Sequence, residues 1–295
     1  MAGVGHVPVL VDAVVALLQP SRGGVFVDCT VGLGGHAAAL LQAGATRVVG
    51  IDRDAEALAT ARARLGEWGE RVSLVHADFR EIARVLASLE VAPVVGVLAD
   101  LGVSSMQFDA PGRGFSFRVD ESLDMRMDRT TGIDAATWLA DRSEQELADA
   151  LTRFGEERFA RRIARALVNA RQAGPIRTTG QLASIVRRAV PRGGRQRIDP
   201  ATRTFQAVRI AVNAELEGLD RFAADAVSHL VPGGRLGVIS FHSLEDRVVK
   251  HTFRAMAAEG GIRLVTKKPV TPEDAEIARN PRARSAKFRV AERAA

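Results

Sequence analysis

Several positions in the first third of the chain follow apolar runs and could together bind a nucleotide-like ligand. The run at 25–27 leads into a turn with Gly32, Gly34 and Gly35, after which a helical pattern begins. Glycines let a ligand lie against bare main chain, and the N–H groups of a helix start point at it. A second apolar run ends in Asp52, eighteen residues after Gly34, where a carboxylate could accept both hydroxyls of a ribose.

Two later positions extend this group. Phe79 follows the third apolar run, and its ring could face an adenine, although a core position at a helix start explains it equally well. Asp100 ends the fourth apolar run. Because ligands of open α/β sheets bind outside the carboxyl ends of the strands, Asp28, Asp52, Phe79 and Asp100 are predicted to line one crevice.

The elements that position these residues alternate between strand and helix. Strands are predicted at 24–28, 47–51, 72–76 and 94–99, and helices at 35–43, 54–66 and 80–89. This alternation predicts an α/β fold with a parallel, doubly wound sheet.

The alternation stops after the fourth strand. An irregular segment at 102–135 precedes helical patterns at 143–152, 156–172 and 178–190, and a long helix is predicted from 202 to about 230. Strand 235–241, helix 243–257 and an antiparallel pair of strands at 262–266 and 285–292 then resume the α/β pattern. We therefore predict a discontinuous α/β domain, 1–108 and 203–295, interrupted by a helical insertion at 109–202.

The charge distribution singles out part of this insertion. The net charge is +6, but residues 153–209 contain fourteen arginines, no lysine and three acidic residues, which gives +11 there and −5 elsewhere. Such a segment favours binding to a polyanion, above all nucleic acid. A solvated helical surface in a chain with only four lysines is the alternative.

Composition excludes other classes of protein. The 295 residues, 46% of them hydrophobic, suffice for a substantial core. No basic leader is visible, and no window approaches the roughly 18 apolar residues of a membrane span, so we expect a cytoplasmic protein without a membrane partner. The single cysteine, Cys29, excludes an internal disulfide, and no metal site is predicted.

The glycine turn alone leaves two cofactors open. Residues 28–34 read D-x-T-x-G-x-G, one position away from the loop of S-adenosylmethionine (SAM)-dependent methyltransferases, because Thr30 replaces the first glycine. Residues 32–37 also satisfy the G-x-G-x-x-A form of an NAD site. His36 favours SAM, since a histidine at the helix start suits its methionine end better than a pyrophosphate, and a C-terminal hairpin is typical of methyltransferases.

Ten ordered blocks resemble one family over nearly the full chain, the bacterial 16S rRNA cytosine-N4 methyltransferases of the RsmH or MraW type. The blocks are 6–10 (HVPVL), 34–36 (GGH), 51–54 (IDRD), 100–105 (DLGVSS), 113–117 (RGFSF), 123–128 (LDMRMD), 155–160 (GEERFA), 201–210 (ATRTFQAVRI), 239–247 (ISFHSLEDR) and 280–285 (NPRARS). Two departures are visible. Asp199 stands where relatives often carry histidine, and the stretch 258–280 is shorter than in some relatives.

The resemblance implies a class I SAM-dependent methyltransferase fold, Rossmann-like, with an inserted helical domain. It implies that SAM is bound by Gly34, Gly35, His36, Asp52, Phe79, Asp100 and Gln107. The acceptor would be the exocyclic amine of a cytosine in 16S rRNA near the decoding centre of the small ribosomal subunit. Asp100 is our hypothesis for the catalytic group that accepts an N4–H. The oligomeric state is not fixed by the sequence, and a homodimer is one candidate assembly.

A second group of residues would contact the RNA. Aromatic and guanidinium groups that could stack a flipped base and hold phosphates are Arg113, Phe115, Phe117, Arg126, Arg203, Phe205 and Arg209. His242 could contact the base, but a helix cap at this point, with Ser243 as N-cap and Asp246 three residues on, explains the motif as well.

Two other functions compete with this interpretation. The same loop and Asp52 would serve an NAD-dependent oxidoreductase, which thermal shifts with SAM and NAD would distinguish. A non-catalytic RNA-binding assembly factor with a vestigial pocket would leave rRNA modification intact in a deletion strain.

Overall fold

The computed structural model describes residues 8–191 and 198–295. The chain divides into two compact units: a sheet unit, Met1–Gly102 with Leu216–Ala295, and a helical unit, Val103–Glu215. His6 and Val7 of the HVPVL block lie outside the described residues.

The sheet unit contains seven strands. They are β1 (Val25–Asp28), β2 (Arg47–Asp52), β3 (Val72–His76), β4 (Val94–Asp100), β5 (Leu230–Ser240), β6 (Ile262–Leu264) and β7 (Lys287–Arg293). Their order is β3-β2-β1-β4-β5-β7-β6, and β7 runs antiparallel to both of its neighbours. The predicted α/β sheet and C-terminal hairpin are confirmed, although β7 lies inside the sheet, between β5 and β6, so β6 alone forms the edge at this end.

Helices account for most of the remaining described structure. They are α1 (Val11–Leu18), α2 (Gly35–Gln42), α3 (Ala55–Arg64), α4 (Ile82–Ser88), α5 (Ser105–Asp109), α6 (Ala135–Asp141), α7 (Glu144–Gly155), α8 (Ala160–Ala173), α9 (Thr179–Ala189), α10 (Ala201–Asn213), α11 (Leu219–Ser228), α12 (Ser243–Ala258) and α13 (Asp274–Arg279). Within residues 8–191 and 198–295, none of them is both long and apolar enough for a bilayer crossing.

Alternate strand residues enter two separate cores, one on each face of the sheet. Phe26, Val48 and Leu98 pack in the cluster that contains the buried faces of α1, α2 and α3. Val27 and Val49 point into the cluster that contains α4, α11 and α12. Burial on both faces explains why the strand sequences are continuously apolar, and it leaves the strand ends as the place for polar groups.

The helical unit has its own core. Facing side chains of α6 to α10 form one buried cluster, with Leu151, Ile163, Val186 and Phe205 among its members. Ser143 and Thr178 begin α7 and α9 with capping boxes, which satisfy N–H groups that the first helical turn leaves without partners.

The predicted boundaries of the insertion differ from the division in the structure. The prediction assigns 103–108 and 203–215 to the sheet domain, but both stretches belong to the helical unit. The physical reason lies in α10, which packs on α7 and brings Thr204 and Ala207 into buried positions.

The single long helix predicted from 202 to 230 is wrong. The chain leaves α10 through Ala214, which adopts a left-handed conformation (φ 50°), and it enters α11 through Gly218 (φ 66°). Helical periodicity continues on both sides of this break, which is why the sequence pattern did not reveal it.

Candidate functional site

Three carboxylates stand at neighbouring strand ends. β1 pairs in parallel with β2 on one side and with β4 on the other, and these strands end in Asp28, Asp52 and Asp100. The sheet therefore brings together three of the positions that the sequence predicted to line one crevice.

The glycine turn between β1 and α2 lies next to one of these carboxylates, Asp52. Gly32 (φ 50°) and Gly34 (φ 79°) adopt left-handed conformations, whereas Gly35 begins α2 without one. A Cβ atom on Gly34 would lie 2.9 Å from Leu65 Cδ1, and one on Gly35 would lie 2.8 Å from Pro8 Cγ. Close packing, as well as backbone conformation, therefore requires glycine here.

Asp52 ties the turn to the end of β2. Its Oδ2 accepts the N–H of Gly32 at 2.7 Å, and its Oδ1 accepts the N–H of Asp54 at 2.8 Å. Burial raises the pKa of Asp52 to about 6, although both hydrogen bonds oppose the shift. Each carboxylate oxygen has a second lone pair, so the group can still accept hydroxyl protons from a ligand.

Asp28 and Asp100 each have one buried oxygen without a hydrogen-bond partner among the described residues, Oδ2 and Oδ1 respectively. Burial raises the pKa of Asp28 to about 7. Burial also raises the pKa of Asp100 well above its ordinary value, and the charges of Asp28 and Glu245 add to the shift. Buried polar atoms are normally satisfied, so unsatisfied ones at strand ends indicate a place for a ligand.

His36 lies beside Asp100. Its Nε2 is 2.8 Å from the carbonyl oxygen of Val9, and its Nδ1 is 3.7 Å from Asp100 Oδ2. A carbonyl oxygen only accepts hydrogen bonds, so Nε2 carries a hydrogen, and Nδ1 is the ring nitrogen that faces Asp100. This places His36 at the predicted site, at the first turn of α2.

Phe79 lies beyond the end of β3 and is half-buried. Its ring packs edge-to-face against Phe222 with centroids 4.9 Å apart. The preceding residue, Asp78, is held by Arg80 (2.7 Å) and Arg53 (3.2 Å). Phe79 thus has the core contacts of the alternative explanation, and its contact with an adenine stays a prediction.

His242 begins α12, and Glu245 fixes its position. His242 Nδ1 accepts the N–H of Glu245 at 3.3 Å, and Nε2 lies 3.2 Å from Glu245 Oε1. The other carboxylate oxygen of Glu245 accepts the N–H of Phe241 at 2.9 Å. A helix cap is therefore present.

This cap begins one residue earlier than the predicted cap, which had Ser243 as N-cap and Asp246 as its partner. Asp246 is not available for that role, because Arg289 and Lys287 pair with it at 2.6 and 3.3 Å.

Three of the predicted RNA-binding residues are core residues of the helical unit, which corrects their proposed role. Arg113 is 2% exposed, and Phe115 and Phe205 are each 5% exposed. The Nη2 of Arg113 donates to the carbonyl oxygens of Arg126 (3.2 Å) and Met127 (3.1 Å). Their residue types suggested a recognition surface, but their side chains hold the unit together and offer no surface to RNA.

The remaining predicted residues of the helical unit differ in exposure. Arg209 is largely buried, and two of its nitrogens donate to Glu215, each at 2.8 Å. Gln107 is buried, and its side-chain oxygen accepts the N–H of Ser104 in a capping box at α5. Arg203 is exposed, with one nitrogen 3.3 Å from the carbonyl oxygen of Glu156. Arg126 is 23% exposed and paired with Asp124, and the half-buried Phe117 packs on Phe205 with ring centroids 4.7 Å apart. Of the predicted RNA contacts in the helical unit, Arg203 is therefore the one with an exposed side chain.

Sequence reasoning missed two residues at the strand ends. Thr30 Oγ1 accepts the N–H of Asp100 at 2.6 Å and so fixes the main chain at the end of β4. Glu245 is 1% exposed and positions His242. Thr30 was read only as a departure from a glycine motif, and the spacing of His242 and Glu245, three residues apart before an apolar run, could have revealed the cap.

The sequence is similar to those of known proteins over nearly its whole length. Residues 3–294 match the model of the MraW methylase family. A protein of Sorangium cellulosum named ribosomal RNA small subunit methyltransferase H is 53% identical, with 99% of this chain and 91% of that protein covered. A protein of the same name from Geobacter sp. strain M21 is 47% identical, with 98% of each chain covered.

Proposed function

Because the chain belongs to the MraW methylase family, we propose that it transfers the methyl group of SAM to small-subunit ribosomal RNA. The proposed substrate is supported by full-length similarity to relatives named ribosomal RNA small subunit methyltransferase H. The finer proposal is that the acceptor is N4 of a cytosine in 16S rRNA near the decoding centre.

The sheet order argues against the NAD-dependent alternative. Dinucleotide-binding Rossmann folds have the order 3-2-1-4-5-6 with parallel strands. In this chain the antiparallel β7 lies between β5 and β6, as in class I SAM-dependent methyltransferases.

The residues of the sheet unit fit SAM. Asp52 retains acceptor capacity for two ribose hydroxyls, and the turn before α2 exposes main chain at Gly32, where a Cβ would have no close neighbour other than Thr30 O at 3.8 Å. The unpartnered oxygens of Asp28 and Asp100 suit a cationic ligand. We propose Gly34, Gly35, His36, Asp52, Phe79 and Asp100 as SAM ligands, and we keep Gln107 as an expectation from the family resemblance. When bound, SAM supplies a methyl group on a positively charged sulfur.

Asp100 is the proposed proton acceptor. The N4 lone pair of cytosine is delocalised into the ring, so the amine becomes nucleophilic only when an N–H is drawn out of the plane. A carboxylate that accepts this N–H favours that geometry and takes the proton that nitrogen loses. Burial raises the pKa of Asp100 well above its ordinary value, so its carboxylate form binds a proton more tightly than an exposed aspartate does.

His36 and His242 have supporting roles in this proposal. His36 places its Nδ1 3.7 Å from Asp100 Oδ2, close enough to position that carboxyl group. His242, held by Glu245, is the proposed contact to the cytosine ring. A Glu245→Gln variant keeps the shape but weakens the hold on His242, so we expect it to raise KM for RNA more than it lowers kcat.

The proposed partner is 16S rRNA within the small ribosomal subunit, and Arg203 is the predicted RNA contact that the structure leaves exposed. We place the reaction in the cytoplasm, where small subunits are assembled. A homodimer stays a prediction.

Methyl transfer from labelled SAM to protein-free 16S rRNA, 30S subunits and 70S ribosomes tests the function, with the modified base mapped by mass spectrometry. We expect one methylated cytosine, modified at N4. Label on another base would refute the N4 proposal, and absence of transfer to all three substrates would refute the function itself. A deletion strain that retains the modification would support the assembly-factor alternative.

A further inference from the structure

Helix α8 and the turn before it carry four exposed arginines on one face. Arg161, Arg162 and Arg165 lie side by side on one face of α8, and Arg158 in the preceding turn continues their spacing of i, i+3, i+4, i+7; we call the four residues the arginine stripe. The residues of α8 that enter the core lie on the opposite face: Ala160, Ile163, Ala164 and Leu167. The stripe therefore faces away from the core of its unit.

Carboxylates neutralise little of this charge. Among the described residues, Arg165 alone of the four has an acidic partner, Glu144 at 3.4 Å, and both side chains of that pair are well exposed. Residues 158–173 contain five arginines and no acidic residue. The guanidinium of Arg158 lies over the Phe159 ring at 4.4 Å, a stacked arrangement that leaves the N–H edge of an arginine able to donate to an anion.

The position of the stripe works against helix stability. The N-terminal turns of a helix carry partial positive charge, so arginines there are unfavourable and acidic residues favourable. The first turn of α8 has no acidic residue, and the carboxylate just before it, Glu157, is buried and accepts the N–H of Phe159 at 2.9 Å. Like charges four residues apart, such as Arg161 and Arg165, add further repulsion. The helix dipole and like-charge repulsion both oppose this arrangement, and a bound polyanion would offset both.

We propose that the arginine stripe binds the phosphodiester backbone of the RNA substrate, an inference that rests on the proposed function for the identity of that RNA. Seven residues of helix rise about 10 Å, which is the length of roughly three phosphates along one nucleic-acid strand. Arginine forks match phosphate oxygens in pairs, so the stripe supplies affinity and orientation without reading sequence.

The test compares two quadruple variants of the full chain with equal loss of charge. The stripe variant is R158Q/R161Q/R162Q/R165Q. The control is R62Q/R64Q/R221Q/R254Q, which removes four exposed arginines from helices of the sheet unit. Binding to protein-free 16S rRNA is measured at several salt concentrations, and methylation of small subunits is measured with saturating SAM.

We expect the stripe variant to lower the slope of log K against log salt by about 2 to 3, since each lost phosphate contact contributes about 0.7 to 0.9. KM for the RNA substrate should rise at least tenfold, while kcat and the Kd for SAM stay within twofold of wild type. The control should leave the slope and KM close to wild type. Equal slopes for the stripe variant and wild type would overturn the proposal.

Other outcomes separate the stripe from the function. If wild type binds rRNA with the expected slope but transfers no methyl group, the function fails and the stripe stands. If the stripe variant loses activity on small subunits yet binds protein-free rRNA like wild type, the contact is with a ribosomal protein, and the RNA proposal is overturned. A thermal melt provides a folding control, because the stripe variant should melt no lower than wild type once the N-terminal repulsion is removed.

Discussion

Both units contain buried or nearly buried carboxylates, and one carboxylate of the helical unit contrasts with two at the strand ends of the sheet unit. In the helical unit, Asp124 is paired with Arg126 at 2.7 Å and with Arg129 at 3.2 Å. Burial alone would raise the pKa of Asp124, yet the hydrogen bonds and charge of Arg126 lower it below its ordinary value. In the sheet unit, Asp28 and Asp100 have no arginine partner among the described residues, and burial raises the pKa of both.

This difference in pairing distinguishes carboxylates that stabilise the fold from carboxylates that are available to a ligand. A carboxylate with a cationic partner contributes to the stability of the fold, and removing one member of the pair lowers the free energy of unfolding. A buried carboxylate without a cationic partner lowers the free energy of unfolding when it is ionised. Such carboxylates are typical of sites that bind a ligand. The variants below test whether this division holds, beginning with the largest expected effect.

Asp100→Asn should abolish most activity without loss of stability. We expect kcat to fall by about 10² to 10⁴, the usual contribution of a positioned acid or base, with the melting temperature unchanged or raised because a buried charge is removed. Single-turnover methyl transfer and calorimetric titration of SAM measure the two parts. A loss of rate that only matches a loss of SAM affinity would make Asp100 a binding residue instead.

Asp28→Asn should change how stability depends on pH. The folded-state pKa of Asp28 is about 7, above the ordinary 3.8, so between these values the folded protein binds more protons than the unfolded chain. Its contribution to stability is therefore complete below about pH 4 and is lost as the pH rises towards 7, with an upper limit of about 4 kcal/mol. Relative to wild type, the variant should gain stability between pH 5 and pH 8 in urea unfolding. Parallel pH profiles would show that Asp28 is ionised in the fold.

Glu215→Gln should destabilise the helical unit. The variant leaves the largely buried guanidinium of Arg209 without its charged partner, which costs about 3 kcal/mol. Chemical unfolding followed by circular dichroism measures the loss, and RNA methylation by the folded fraction should keep its kcat. A change below about 1 kcal/mol would show that a paired carboxylate in this unit matters no more than a surface one.

Asp199→Asn should have the smallest effect among these variants. Asp199 pairs with the half-exposed Arg187 at 2.8 Å. Burial alone would raise the pKa of Asp199, but hydrogen bonds and charge from Arg187 lower it. An exposed pair of this kind contributes under about 1 kcal/mol and is weakened by salt. The difference in unfolding free energy between wild type and Asp199→Asn should therefore be smaller in 500 mM NaCl than in 50 mM NaCl.

The fold of the sheet unit was largely predictable because its strands are rich in apolar residues and alternate with helical patterns along the chain. Asp52 and Asp100 were identified by position alone, since parallel strands place their carboxyl ends at one edge. The unpartnered oxygens were not predictable, because they depend on what does not approach them in three dimensions.

The RNA-binding residues of the helical unit were the weakest part of the prediction. Arg113, Phe115 and Phe205 have the residue types of a recognition surface, but their types do not reveal which way the chain turns them. By contrast, the 3.6-residue period of α8 separates its arginines from its core face, and this separation was readable from the spacing of Arg158, Arg161, Arg162 and Arg165.

The pairing of β4 with β5 has a consequence for how the chain folds. These strands lie side by side in the sheet, yet the whole helical unit stands between Asp100 and Leu230 in the sequence. The contacts among α7, α8, α9 and α10 all fall within one continuous stretch of the chain, so the helical unit can assemble without the distant strands. The sheet is completed only when β4 pairs with β5, which is distant in the sequence. We expect this pairing to be the slow step of folding and the stage most prone to aggregation.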